Sequence, residues 1–274
     1  MKQSTEETLT TLYNLILNPR TRDWERQQLE TAKQGLYNHE RLADTLAQLE
    51  AVLRPLATRH SLTPDVAEFY ATLAGNSAFS QPFDDHLHFT KDGPFIERAI
   101  FAGGCFWCIV EPFETRTGIL AVYSGYTGGS TANPSYEEVS RGQSGHVEAV
   151  EIIFDRRKIS YQQLNAIYWQ LIDPTDANGQ INDRGTQYRP TIFYQNAEQQ
   201  HLAEQAKQAE ATRYHRPIVV EIQPAQPFWL AENYHQQFYQ KEKQRYHRIE
   251  HARKQYLLFL KMQNNVCSFF HKAK

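Results

Sequence analysis

Ala99-Ile100-Phe101-Ala102-Gly103-Gly104-Cys105-Phe106-Trp107-Cys108 joins a short apolar run to a double glycine and two nearby cysteines. A helix-like stretch, Ile109 to Thr117, follows. The order reads as a strand passing through a Gly-Gly turn into a helix. Such a turn places Cys105 beside unpaired backbone N–H groups, which favour negative charge. The expectation is a thiol that loses its proton readily, the thiolate being the nucleophilic form. Cys108 lies one helical turn further on, within reach of a disulfide with Cys105. The bulky Phe106 and Trp107 between them point to an apolar group in the substrate.

Outward from that stretch, composition sets bounds. The chain has 274 residues, room for one large or two modest domains with a real core. A net charge of −2 implies no bulk attraction to nucleic acid or to an anionic membrane. Met1 to Thr8 is polar and acidic, without a signal-like apolar segment. No apolar run approaches the roughly 18–20 residues a membrane helix needs. The protein is therefore expected to be soluble and cytoplasmic. Its 3 cysteines cannot all pair within the chain, and a reducing compartment suits catalytic thiols better than a disulfide framework.

Residues 1–76 read as a small all-α helical bundle. Leu9, Leu12, Tyr13, Ile16 and Leu17 recur at helical spacing until Asn18-Pro19. Asp23 to Gln34 is a second candidate helix. Leu42, Leu46, Leu49, Val52, Leu53 and Leu56 form a third stripe, bent or ended by Pro55. Thr63-Pro64 starts a fourth, with Thr63 as N-cap. Residues 77–96 read as a linker, its His86 and His88 as exposed loop histidines rather than a metal pair. From Glu97 the pattern turns to mixed strand and helix. Strands are expected at Arg98–Ala102, Ile119–Tyr123, Glu148–Phe154, Thr191–Tyr194 and Ile218–Ile222. Helices are expected at Trp107–Thr117, Tyr136–Arg141, Tyr161–Ile172, Ala197–Tyr214 and Ala231–Arg245. The basic, aromatic tail (248–274) is expected to be a helix packing Tyr256, Leu257, Phe259 and Leu260 against the 97–247 domain.

A single Cys-x-x-Cys admits three chemistries. A zinc site wants two further ligands, and no second Cys pair exists. A thioredoxin-like exchanger usually has small residues or proline between its cysteines, where this chain has Phe106-Trp107. Inert buried thiols fit poorly after a Gly-Gly turn. Three more segments combine polar and aromatic groups: Asn133-Pro134-Ser135-Tyr136, Gly145-His146-Val147-Glu148-Ala149-Val150, and Asp183-Arg184-Gly185-Thr186-Gln187-Tyr188-Arg189.

With Gly104-Cys105-Phe106-Trp107, Gly125-Tyr126-Thr127-Gly128-Gly129 and Asp173-Pro174-Thr175, these segments resemble the A-type methionine sulfoxide reductases in order and wording, from about Glu97 to Glu242. The resemblance implies an α+β two-layer, ferredoxin-like sandwich around a mixed sheet. It implies Cys105 as nucleophile and Phe106 and Trp107 as the rings that hold the substrate's S-methyl group. It assigns Tyr136, Glu148 and Tyr188 to the sulfoxide oxygen, and Asp183 to a neighbouring polar position. Departures are Val147, where the family often has Ala, and Ile181, where Gly is frequent before Asn-Asp.

The implied reaction reduces methionine S-sulfoxide, free or in oxidised proteins, through a sulfenic acid on Cys105. Cys108 is the first candidate to resolve it, because closing so short a loop costs little entropy. Cys267 is the second candidate. The implied reductant is thioredoxin, or dithiothreitol in vitro, with no bound cofactor and no metal. Competing readings are a general thiol–disulfide oxidoreductase, and an immunity or interaction protein carrying a residual enzyme domain. The second of these arises because Leu12-Tyr13-Asn14-Leu15-Ile16-Leu17-Asn18-Pro19 and Ser61-Leu62-Thr63-Pro64 resemble the bacteriocin-immunity helical bundles. Such a module would bind an unknown partner rather than catalyse.

Overall fold

The computed structural model describes residues 5–59, 61–73, 84–232 and 235–271, with side chains apart from Thr58, Lys261 and 263–271. Two compact units divide the chain, Met1–Asp84 with Glu232–Tyr234, and Asp85–Ala231 with His235–Lys274. Among the described residues no helix is long and apolar enough to cross a membrane.

The first unit holds helices α1 (Thr5–Leu17), α2 (Asp23–Tyr37), α3 (Leu42–Thr58) and α4 (Pro64–Leu73). Their apolar stripes meet in one core containing Leu12, Ile16, Leu29, Leu36, Leu49, Leu53, Val66 and Phe69. Pro55 lies inside α3 and does not end it. Leu53 and Ala57 are buried on either side of it, and their burial holds the helix through a missing backbone bond. Thr63 does precede the first turn of α4, its carbonyl accepting from Ala67 N–H at 2.8 Å. Its hydroxyl, however, does not cap the helix. It donates to buried Glu25 at 2.8 Å, and its backbone N–H does the same at 2.8 Å.

The second unit opens with a short helix α5 (His86–Phe89) and strand β1 (Ile96–Ala102). Next come α6 (Trp107–Glu114), β2 (Ile119–Thr127), α7 (Tyr136–Ser140), β3 (Val147–Asp155) and α8 (Tyr161–Leu171). A small hairpin, β4 (Gly179–Gln180) and β5 (Asp183–Arg184), precedes a 3-10 turn at Thr186–Tyr188 and strand β6 (Thr191–Tyr194). The chain continues through α9 (Ala197–Ala211), β7 (Glu221–Pro224), β8 (Trp229–Leu230), α10 (Phe238–Lys241) and α11 (Lys243–His271).

The main sheet runs β7-β6-β1-β3-β2-β8. Only the β6–β7 pairing is parallel, so the sheet is mixed. Its central order β6-β1-β3-β2, visited as β-α-β-β-α-β, is the ferredoxin-like arrangement. The unit is α+β. Val150, Ile152 and Phe154 of β3 and Ala99 and Phe101 of β1 share a core with Ile109 and Phe113 of α6 and Leu164 and Tyr168 of α8. This is one sheet layer under one helix layer.

Several sequence expectations shift. The strand expected at Ile218–Ile222 begins only at Glu221. The helix expected over Ala231–Arg245 is broken: Gln237 sits at φ 51°, and α10 and α11 flank Glu242 as separate helices. A left-handed residue cannot continue a right-handed helix. Among the described side chains of α11 the buried ones are Tyr246, Arg253, Leu257 and Leu260, while Tyr256 and Phe259 face outward. The Cys267 side chain lies outside the described residues. The same holds for 77–83 of the expected linker. His88, read as an exposed loop histidine, instead pairs through Nδ1 with buried Glu151 Oε2 at 2.6 Å. Arg98 joins them at 3.1 Å from Glu151 Oε1 and donates to the carbonyls of Leu87, His88 and Thr90. These bonds strap α5 to the sheet face opposite the helix layer.

Candidate active site

Strand pairing decides which residues meet. β1 lies antiparallel to β3 with Ala102 opposite Ala149. The chain leaving β1 therefore turns at Gly103-Gly104 over the residue preceding Ala149, which is Glu148. Side chains alternate along a strand, so Glu148 shares the helix-layer face with Val150 and Ile152. Gly104 takes φ +86°, and a Cβ there would fall 2.7 Å from Gln180 Cβ. Only glycine fits both the torsion and the contact. Gly104 N–H also donates to Tyr188 carbonyl at 3.0 Å, tying the 3-10 turn to the cysteine loop.

The resulting floor is buried: Phe106, Cys108 and Glu148 are 0, 4 and 2% exposed. Around it stand half-buried Cys105, Trp107, Tyr136, Asp183 and Tyr188. Phe106 N–H donates to Glu148 Oε2 at 3.1 Å. The Asp183 carboxyl is turned toward the Cys105 backbone N–H, and the Cys105 sulfur toward Trp107 N–H. Burial pushes the Tyr188 hydroxyl up, with further pushes from Glu148, Cys105, Tyr136 and Asp183. The residues taken from the three distant segments thus converge on Cys105.

The expectation of an easily ionised Cys105 is overturned. Burial pushes its thiol well up, and the charges of Glu148, Cys108 and Asp183 push it further. The helix N-terminus does help through Trp107 N–H, but the two preceding amides already face carboxyls. Desolvation and like charge outweigh one donated hydrogen bond. Asp183 is itself raised by burial, with Arg253 and the Cys105 N–H pulling it down. Cys105 and Cys108 are both free thiols, and Cys108 N–H donates to Cys105 carbonyl at 3.1 Å.

The aromatic wall is larger than the motif suggested. Phe106 packs its ring 5.9 Å from Tyr126 and 4.9 Å from His235. His235, 1% exposed, also lies 4.6 Å from the Tyr136 ring and accepts Trp107 Nε1–H at Nδ1 over 3.0 Å. Gln236 fixes it from the next position, exchanging two side-chain hydrogen bonds with the Ser124 backbone of β2. Phe238 stacks flat on Trp107 at 3.8 Å. Sequence reasoning missed His235 and Phe238 because no local spacing marks them. His146 explains Gly129: a Cβ there would fall 2.4 Å from the imidazole, whose Nδ1 accepts Gly129 N–H at 3.2 Å and whose Nε2 meets Thr131 carbonyl at 2.7 Å. Tyr136 begins α7 behind a capping box of Ser135 and Glu138, which fixes its position. Among the described residues no cluster of three or more His, Cys, Asp or Glu is placed to hold a metal ion.

The departure at Ile181 has a backbone consequence. Ile181 opens the two-residue turn between β4 and β5 at φ 56°, where a glycine would be unstrained and a β-branched residue is not.

A family model described as peptide methionine sulfoxide reductase matches residues 97–265, and the chain belongs to that family. A "Peptide methionine sulfoxide reductase MsrA" of Streptococcus equi subsp. zooepidemicus is 57% identical over 164 residues, 59% of this chain and 97% of that protein. "Peptide methionine sulfoxide reductase MsrA 1" of Lactococcus lactis subsp. lactis is 58% identical over 163 residues, 59% of this chain and 89% of that protein. Among solved structures, methionine sulfoxide reductase A of Corynebacterium diphtheriae aligns with TM-score 0.50 and 29% identity over 55% of this chain and 77% of that one. Reduced Mxr1 from Saccharomyces cerevisiae aligns with TM-score 0.54 and 25% identity, covering 57% of this chain and 90% of that one. A second family model, the bacteriocin immunity protein family, matches residues 3–78.

Proposed function

We propose that the chain reduces methionine S-sulfoxide, free or in oxidised proteins, to methionine, with Cys105 as nucleophile and Glu148 as proton donor. The observation that carries this reading is the placement of a buried carboxyl beside the thiol: Glu148 accepts the amide next to Cys105 and its charge pushes that thiol up. Two negative charges this close in a buried site are costly, so thiolate and carboxylate alternate rather than coexist. The productive state is a Cys105 thiolate facing a protonated Glu148.

The thiolate attacks the sulfoxide sulfur, and the Glu148 proton goes to the departing oxygen. The sulfur–sulfur bond formed by that attack then breaks, its electron pair going to the substrate sulfur as the hydroxyl passes to Cys105, so one sulfur–oxygen bond is lost and another gained. Methionine leaves, Cys105 is a sulfenic acid, and Glu148 is a carboxylate. Tyr136 and Tyr188 donate hydrogen bonds to the oxygen as charge gathers there. Phe106 and Trp107 hold the methyl group and exclude water. Methyl against the rings and oxygen at the carboxyl fix which face meets Cys105, which selects the S epimer.

Cys108 thiolate then attacks the sulfenic sulfur, forming a disulfide and releasing hydroxide, which is protonated to water. Cys267 is the second resolving candidate. Thioredoxin returns the disulfide to two thiols in a cytoplasmic setting. The first unit, Met1–Asp84, is read as a partner-binding module.

The test is methionine release from each epimer with dithiothreitol. The S epimer alone should turn over, and Cys105→Ser should fall to background. Methionine formation by Cys105→Ser, or equal use of both epimers, removes this reading.

A further inference from the structure

Arg253 stands out on α11 because every other described position of its buried stripe is apolar or aromatic. Tyr246, Leu257 and Leu260 line up with it, and the guanidinium is carried inward to 6% exposure. Its Nη2 donates to the carbonyls of Leu171 and Gly103, the latter at 3.4 Å and within the cysteine loop. Its Nη1 stands 3.5 Å from where a Cβ on Gly104 would lie, so the guanidinium rests against the turn that carries the cysteines, and its charge acts on Cys108 and on Asp183. Its Nε–H has no hydrogen-bond partner among the described residues. Burying a guanidinium is expensive unless negative charge meets it. Asp183 supplies one such charge, and a Cys108 thiolate supplies the other.

We propose that Arg253 is a positioning residue for the second half of the reaction: it holds Cys108 and stabilises its thiolate for attack on the Cys105 sulfenic acid. The proposal rests on the reading above, in which Cys108 resolves. In that step the Cys108 sulfur forms the S–S bond with its electron pair while the Cys105 S–O bond breaks. Hydroxide leaves and takes a proton, so two thiols and one sulfoxide become disulfide, methionine and water. The need for a cation is specific to Cys108. Burial raises its thiol, and the charges of Asp183 and Glu148 add to this, whereas the charge of Arg253 pulls it down. Cys105 and the Tyr246 and Tyr168 hydroxyls also share this electrostatic neighbourhood, Tyr168 directly under the Arg253 charge. A late cation also fits the order of events. Glu148 gives up its proton in the first half, and the added negative charge makes Cys108 harder to ionise just when its thiolate is required.

The experiment is single turnover of the full chain on methionine S-sulfoxide without reductant, following methionine release, free thiols and dimedone capture of the sulfenic acid. Arg253→Gln should release methionine at nearly the unmodified rate. Its disulfide should form about tenfold more slowly or worse, one unit of thiol pKa being tenfold in thiolate. Its pH profile should move to the alkaline side, and dimedone should capture more Cys105. Arg253→Lys keeps the charge and should restore most of the rate, which also controls for folding. A Cys105–Cys108 disulfide forming in Arg253→Gln at full rate with an unmoved pH profile overturns the role of Arg253 alone. Equal slowing of both steps in Arg253→Gln also overturns it, leaving a residue that merely supports the Gly103 turn. An unmodified protein whose disulfide omits Cys108 instead overturns the resolving assignment, and this proposal with it.

Discussion

Each unit of this chain buries a glutamate on its helical side, and the two are put to opposite use. Glu25 in the first unit is 1% exposed and fully engaged: Thr63 N–H, Thr63 hydroxyl and Arg22 N–H all donate to it. It pins the start of α4 to α2. Glu148 in the second unit is 2% exposed, and its charge disfavours ionisation of both thiols and of the Tyr188 hydroxyl. A buried carboxyl surrounded by donors is a structural clamp. One surrounded by other acids is a store of protonation energy, and perturbed groups cluster where chemistry is done.

Swapping each glutamate for glutamine attacks the contrast at its strongest point. Glu148→Gln should lower kcat by about 10²–10⁴, the range for loss of a general acid. The same change removes a charge that opposes the thiolate, so alkylation of Cys105 by iodoacetamide, measured in a Cys108→Ser background, should move to lower pH. An unmoved profile would break the coupling. Glu25→Gln should leave turnover alone and alter melting instead. Burial raises the Glu25 carboxyl above 4.5, so its stability contribution is complete below that pH and is lost as pH rises through the folded value. Thermal melts of the unmodified chain should show that loss, and Glu25→Gln should flatten it.

A pair of truncations sharpens where the second unit begins. A chain starting at Asp85 keeps α5 and should retain full turnover. One starting at Glu97 loses His88 and Asp92 and leaves Glu151 and Arg98 short of partners. That should cost about 3 kcal/mol in denaturant melts. Equal stability of the two would show that the strap contributes nothing. The smallest effect is expected at Ile181→Gly, which relieves a left-handed β-branched residue and should stabilise the chain by about 1 kcal/mol.

Much of the architecture was legible because local signals agree with the tertiary result. Thr191–Tyr194 is a strand as its β-branched and aromatic run predicts. Asn18-Pro19 and Thr63-Pro64 mark helix boundaries, since proline removes a donor wherever it stands. Of the two outcomes expected at Pro55, an ended helix is excluded because the apolar contacts of Leu53 and Ala57 hold α3 together, and these are set by other helices. Tyr256 and Phe259 were misplaced for a related reason: a helix rich in apolar residues does not announce which stripe is covered. Arg253 did leave a trace, as a charged residue on a buried stripe, but without the stripe's orientation it reads as surface.

What the chain of residues determined alone was chemical: a thiol at a Gly-Gly turn, its neighbour one helical turn on, and the reductase motifs in order. Local torsional and apolar preferences suffice for the turn and the helix, because each acts over a few residues, while the motifs were read from the family resemblance. The three-dimensional packing decided the electrostatics. It set Glu148 under the Cys105 turn through one strand register, filled the helix N-terminus with carboxyls, and brought Arg253 from the last described helix to Cys108. Charge and desolvation depend on distance in space rather than along the chain, so no reading of local pattern could have fixed their signs.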